Sequence, residues 1–376
     1  MSDAYRAALM DWMACAAGGR EQRAARAARA AGDGLLERVA WLGTAGHVLD
    51  FDDTYLPGLA HLSAPTAPAA IAVGAARDAS VGDVLAAHAA GFEAMGAMSR
   101  ASHPALYDGG WHPTAVCGAA GAATAAGHLL GLDSAALGSA QRLALLQAGG
   151  MRAAFGSVGK AIQVGMAAAS GVHAALAAEG GAEVAVDVIE APGGFAQAFG
   201  GGWAEPDPED PAIAANWIKP WPCCLMAHSS IEAALRAGAA PAGPIEVVVH
   251  PRARQAAAYD DVSDGLQAKF SIPYLVAFAL LRGDPVPASF DAVDPKVRAF
   301  AAERVSVRTD EALGEAAARV LGVEVAFSPG SPQSPLPPER LAAKVRGLAG
   351  ERLDGLLDDP ARPAGDLLAA LSASSN

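Results

Sequence analysis

Over the first two hundred positions the apolar residues recur with a helical rhythm. The stretches "AYRAALMDWMACAAGG", "LLERVAWLGTAGHVLD", "APTAPAAIAVGAARDA", "SVGDVLAAHAAGFEAMGAMSR", "TAVCGAAGAATAAGHLLGL", "SAALGSAQRLALLQAGG" and "AIQVGMAAASGVHAALAAEGG" lack β-branched alternation. Gly, Pro or Ser-Asp punctuation separates them, so each predicts a helix, with Asp133 or Ser134 capping the sixth. The pattern changes at "AEPDPEDPAIAANW", a connector rich in Pro and acids. After it, "IEVVVHP", "RVSVRTD" and "VEVAFSP" read as strands, with "PYLVAFALLRG" and "DPKVRAFAAE" as helices between them. A second Pro-rich connector, "SPGSPQSPLPPER", leads to two short amphipathic helices. The predicted fold is mainly α: a large all-α body over 1–215, to which 352–376 return, and a smaller α+β segment over 216–351 inserted before the C-terminal helices.

Composition narrows the partners. A formal net charge of −13 argues against nucleic acid, whose phosphates require a basic surface. It leaves room for a small acid held in a local cationic pocket. Cys15, Cys117, Cys223 and Cys224 form no CxxC pair and no secretory signal precedes them, which predicts reduced thiols in a cytoplasm. The uncharged segment from Gly109 to Leu132 is too weakly apolar for a membrane span and reads as a buried helix. Only five of the 27 basic residues are lysines, at 160, 219, 269, 296 and 344. In a chain that otherwise uses Arg, each lysine in an apolar setting is a candidate for a specific role.

The densest chemistry lies in "HVLDFDDTYLPGLAH", which places His47, Asp50, Asp52, Asp53, Thr54 and His61 within fifteen positions. "DFDDT" fits the DxDxT loop of haloacid-dehalogenase-type phosphatases, but that loop must follow a buried strand, and here a helical pattern precedes it. Low aromatic content argues against a carbocation pocket, and the spacing matches no usual metal-ligand set. "AFGSVGKAIQ" is not a P-loop, because Ala154 and Ala161 stand where Gly and Ser or Thr are needed. Lys160 nevertheless falls at a helix start, where an ammonium and free N–H groups can hold a carboxylate; the alternative is a lysine snorkelling to solvent. His112 in "GGWHPTAVCG", before a Thr114 able to cap the next helix, and Lys219 and His228 in "IKPWPCCLMAH" are weak signals singly. Cys223 and Cys224 read as buried packing.

Taken in order, "HVLDFDDT…H", "GFEAMGAMSRASHPALYDGGWHPTAVCGAAGAA", "LLGLDSAALGSAQRLALLQAGGMRAAFGSVGK", "KPWPCCLMAHSSI" and "AKFSIPYLVAFALLRG" resemble the MmgE/PrpD family. That family includes 2-methylcitrate dehydratase, cis-aconitate decarboxylase and iminodisuccinate epimerase. The resemblance runs from about Asp11 to Lys344. It implies a helical body, an α+β lid, a homodimer, and neither metal nor organic cofactor, with the active site between body and lid. Carried over by position, it implies catalytic roles for Asp50, His61, His112, Lys160 and Tyr274. It implies substrate contacts from Thr54, Lys219 and His228; Arg152, in the same stretch as Lys160, joins these.

Such a set suits carbanion chemistry beside a carboxylate: cations stabilise the enolate-like charge and an imidazole moves the proton. Asp52 and Asp53 are expected to be structural. The default activity is a hydro-lyase of the 2-methylcitrate dehydratase kind. The alternatives are an epimerase or decarboxylase on the same scaffold, or a helical relic without catalysis. Four features depart from the family pattern: Gln163 and Met166 after Lys160, Leu225 after the cysteines, a slightly longer loop before His61, and a trimmed N-terminus. The first two remove cations and point to a smaller or less anionic substrate.

Overall fold

The computed structural model describes residues 3–184 and 186–373. The predicted helices of the first half form as α1 (Asp3–Gly19), α2 (Arg23–Arg29), α3 (Leu35–His47), α4 (Ser63–Ala76), α5 (Val81–Ser102), α6 (Ala105–Asp108), α7 (Pro113–Leu129), α8 (Ser134–Leu146), α9 (Gly159–Glu179) and α10 (Phe195–Phe199). Asp133 caps α8 by accepting from Ala136 N at 2.9 Å. Small residues let these helices touch backbone to backbone. A Cβ at Gly165 of α9 would strike the Ala40 carbonyl of α3, and one at Gly171 would strike the Ala119 carbonyl of α7. The uncharged α7 is buried from Pro113 to Gly127 among α4, α5, α8 and α9. Its burial therefore requires no second subunit. α9 is long and apolar enough to cross a membrane by length and composition alone. It packs instead on α3, α4, α7 and α8 as a core helix.

A second apolar core gathers residues 221–325. It contains α11 (His228–Ala237), α12 (Pro251–Ala256), α13 (Gly265–Ala268), α14 (Ile272–Arg282) and α15 (Pro295–Arg304). Of these, α11, α14 and α15 pack on a sheet of β3 (Ile245–Val249), β4 (Val305–Thr309), β5 (Ala318–Val320) and β6 (Val323–Val325), in the order β4-β3-β5-β6. β3 and β4 are parallel, so their connection is the long crossover through α12–α15. β5 was not apparent from the sequence because its "ARV" is too short to show alternation. It exists through a two-residue turn in which Leu321 (φ 51°) and Gly322 (φ 80°) are both left-handed, the geometry that matches hairpin twist.

Two further strands, β1 (Thr54–Tyr55) and β2 (Asn216–Trp217), pair antiparallel. They tie the "DFDDT" loop to the chain entering the second core. α16 (Pro338–Ala349), included by sequence in the 216–351 segment, packs on α1; Val345 and Ala349 join the first core. α17 (Ala364–Ser372) packs on α4.

Candidate active site

α3 ends at His47, and the chain turns through Asp50 with φ 52°, a left-handed conformation that Asp adopts more readily than bulkier residues. Three buried ammoniums hold this turn by its successive carbonyl oxygens. Lys269 donates to Leu49 O, Lys219 to Asp50 O at 3.0 Å, and Lys344 to Phe51 O at 2.6 Å. Lys344 also pairs with buried Asp11 of α1 at 2.6 Å. Four of the five lysines, Lys160 included, thus converge on one loop.

The turn presents Asp50 and Asp52 to three imidazoles. Asp50 Oδ1 accepts from Lys160 and Lys219, each at 3.0 Å, and its buried Oδ2 has no hydrogen-bond partner among the described residues. Burial alone would raise the Asp50 carboxyl, but the two ammoniums outweigh it and hold the pKa well below the usual range. Asp52 Oδ2 lies 2.8 Å from His47 Nδ1 and 3.1 Å from His61 Nδ1. A carboxylate here can only accept, so both rings carry their proton on Nδ1. His47 Nε2 then accepts from Lys160 Nζ at 2.8 Å, and His61 Nε2 keeps its lone pair, with Asp50 Oδ1 3.7 Å away, beyond hydrogen-bond distance. Burial pushes the His61 pKa down to about 3 against the opposing pull of Asp52; burial likewise lowers His47. Asp53 faces away and accepts from Ser63 Oγ at 2.7 Å and Asn216 Nδ2 at 2.9 Å, fixing the start of α4 to β2.

His112 enters from the other wall. Pro113 at the first position of α7 keeps its predecessor extended, which sets the His112 backbone. Burial, then the Lys160 charge, holds the His112 imidazole well below its usual pKa. Its Nδ1 lies 2.7 Å from Gln163 Nε2. Thr114 does not cap α7; its hydroxyl accepts from His61 N at 3.1 Å and anchors that residue.

Asp50, Thr54, His61, His112 and Lys160 line one cavity of about 50 Å³ together with Leu59, Tyr107, Phe155, Cys224, Leu225, Met226, Ala256 and Phe270. Lys160 sits between the rings of Phe155 and Phe270, 5.5 and 5.6 Å from their centroids. Burial raises the Cys224 thiol to about 11, so it stays protonated.

Four residues expected at the site are placed elsewhere. Lys219 does not line the cavity: its donors go to Asp50 Oδ1, Asp50 O and Cys223 O. His228 lies behind the wall, donating from Nε2 to Cys223 O at 3.2 Å. Tyr274 is buried in the second core and its hydroxyl accepts from Asp294 N at 3.0 Å. Arg152 stacks on Tyr107, 4.5 Å from the ring centroid, with a buried Nη1 that has no hydrogen-bond partner among the described residues. The sequence gives no role to His47 or Tyr107, reads Asp52 as structural and marks Gln163 only as a departure from the family pattern, although His47 and Asp52 lie in its densest stretch.

His47, Asp52 and His61 have donor atoms within 4.8 Å of one another, close enough to share a cation. A metal there would have to displace both Nδ1–H bonds to Asp52, with the Lys160 ammonium already seated on His47 Nε2. The set fits proton positioning better than ligation.

Residues 36–206 match the MmgE/PrpD N-terminal domain, and residues 221–356 match the MmgE/PrpD C-terminal domain. The chain is similar to a cis-aconitate decarboxylase of Aspergillus terreus, 36% identical over 165 residues, which are 40% of this chain and 34% of that one. It is also similar to the cis-aconitate decarboxylase of Homo sapiens, 31% identical over 207 residues, 51% of this chain and 42% of that one. The chain thus spans less than half the length of the curated relatives it matches.

Proposed function

Because this chain belongs to the MmgE/PrpD family, we propose that it is a cofactor-independent lyase that removes a proton from the carbon α to a carboxylate of a small acid. The observation that carries this reading is His61, its Nδ1–H spent on Asp52, held neutral by burial and lining a cavity that also holds the Lys160 ammonium. His61 Nε2 takes the α-proton, and the C–H electron pair passes into an enolate whose oxygens meet the third Lys160 N–H and His112. Collapse of the enolate breaks the Cβ–O bond. The departing hydroxyl takes the proton from His61, giving an alkene and water and restoring the neutral imidazole. The bound carboxylate and Asp52 both favour the transient imidazolium.

A cavity of about 50 Å³ holds waters but not a polycarboxylic acid, so its two walls must part to admit substrate. Residues 224–226, 256 and 270 form one wall, and they belong to the segment read as a lid. Apolar lining by Leu59, Leu225, Met226, Phe155 and Phe270 favours an acid with few charges. A second reading, decarboxylation, is favoured by the activity named for the relatives. It requires a proton donor to the carbanion rather than a base, which suits neutral His61 less well. We expect a homodimer, as the family resemblance implies, with reduced thiols in a cytoplasm, as the cysteine usage suggests; light scattering that finds a monomer at micromolar concentration would count against the dimer.

The test is incubation with candidate acids in D₂O, followed by NMR. Alkene formation with C–H exchange supports dehydration. Exchange with inversion and no loss of water would point to epimerisation, and CO₂ release to decarboxylation. No exchange or turnover across mono-, di- and tricarboxylates would overturn the reading.

A further inference from the structure

We infer that Gln163 is a positioning residue that sets the proton on His112: its amide holds the imidazole as the Nε2–H tautomer, so that His112 faces the cavity as a hydrogen-bond donor while His61 faces it as an acceptor. This rests on the reading of the cavity as a proton-transfer site.

Gln163 stands one turn after Lys160 on α9. Both ends of its amide are fixed by one residue. Met151 N donates to Gln163 Oε1 at 2.9 Å, and Gln163 Nε2 donates to Met151 O at 3.2 Å. A flipped amide would set NH₂ against N–H and oxygen against oxygen, so the backbone dictates the orientation. Met151 is itself held. His112 N donates to Gly150 O at 3.0 Å, Arg152 N donates to Gly110 O at 2.9 Å, and Trp111 bridges Met151 as a short antiparallel pair.

The amide nitrogen therefore points at His112 Nδ1, 2.7 Å away, and it has no lone pair to offer. Nδ1 must accept, so the ring proton is on Nε2. A second proton on Nδ1 would face the NH₂ group directly, and it would add charge in a buried site near the Lys160 ammonium. His112 is thereby kept as a neutral donor, able to stabilise an oxyanion without giving up its proton.

Two imidazoles in one cavity thus carry opposite tautomers because their hidden partners are opposite. A carboxylate that only accepts stands behind His61, and an amide N–H that only donates stands behind His112. Among the departures from the family pattern, Leu225 lines the cavity itself, and Gln163 acts on it through the His112 imidazole.

The experiment is two-bond ¹H–¹⁵N correlation NMR on protein labelled in histidine nitrogens, with ring signals assigned by His112→Asn and His61→Asn variants. In the unmodified protein we expect His112 protonated on Nε2 and bare on Nδ1, and His61 the reverse. Gln163→Glu, whose carboxylate accepts from Nδ1–H, should move a proton to His112 Nδ1 and leave His61 unchanged. On any acid found to turn over, the same variant should lose on the order of 10²–10⁴-fold in kcat, the scale of a wrong-tautomer defect, with a smaller change in KM. An Nδ1–H signal on His112 in the unmodified protein, or no change of tautomer in Gln163→Glu, would overturn the inference. Should that variant fail to fold, the unmodified spectrum decides alone. If the tautomers are as stated and no acid exchanges its C–H, the inference about Gln163 stands and the proposed reaction falls.

Discussion

Lys219 donates to Asp50 twice, to the carboxylate Oδ1 and to the main-chain oxygen, each at 3.0 Å. It therefore clamps both the charge and the left-handed turn of the residue it serves. Burial disfavours its ammonium, but Asp50 and then Asp52 outweigh burial and hold its pKa above the usual value. The neighbouring contacts of Lys269 and Lys344 extend the clamp one residue to either side. Substrate binding is thus not needed to explain why Lys219 is a lysine.

Lys219→Met should cost about 3–5 kcal/mol of stability, as removing one partner of a buried ion pair does. The denaturation midpoint would show this in the absence of substrate. A variant of unchanged stability whose only defect is a raised KM would return Lys219 to the role expected from the sequence.

The helices and the position of the site were legible in the sequence because both are local. A 3.6-residue rhythm needs no partner to be read, and His47, Asp50, Asp52 and His61 lie within one short stretch. The scarcity of lysine flagged the right side chains. What could not be read was their partners: Lys269 and Lys344 meet carbonyls 220 and 293 positions away. Nor could spacing show that Asp52, read as structural, fixes two imidazoles. Tyr274 came only from the family resemblance and His228 was a weak signal by itself; in this fold their hydrogen bonds close on Asp294 and Cys223.

Exhaustive chelation should leave turnover unchanged. His47 and His61 already spend their Nδ1–H groups on Asp52, and the remaining His47 nitrogen is occupied by an ammonium. Activity lost in EDTA and restored by a divalent cation would show that the three residues exchange their protons for a metal.

Stability should fall as pH drops below neutrality, before the carboxylates of Asp50 and Asp52 titrate. His61, His88 and His228 are buried with pKa values pushed down to about 3, and His47 and His112 are lowered too. An unfolded chain takes up those protons near pH 6.5, so each group contributes stability that is present above 6.5 and lost as pH falls toward 3. Asp53, raised to about 7, and Asp11, raised to about 6, act in the opposite direction, since the folded state then binds their protons first. Five imidazoles against two carboxyls should leave a net loss. Melting temperatures taken from pH 7.5 down to 4.5 would check it; a flat profile would mean that the histidines are charged in the fold.

Lys160 is the cation that both holds the catalytic groups and faces the cavity. It spends one N–H on His47 and one on Asp50, and its Nζ lies between the Phe155 and Phe270 rings with one N–H to spare for substrate. Lys160→Ala should cost roughly 2–4 kcal/mol of transition-state stabilisation, as loss of a preorganised donor does. Lys160→Arg should also be poor, because a planar fork cannot replace a compact ammonium between two rings and two fixed partners. A second effect separates this role from simple scaffolding. The Lys160 charge contributes to holding down the pKa of His47, His61 and His112. Its removal raises all three, and a base that must be neutral then fails at a higher pH. The acid limb of kcat/KM should therefore move upward in Lys160→Ala. Near-normal turnover with an unmoved limb would reduce Lys160 to a prop for Asp50 and take the charge stabilisation out of the mechanism.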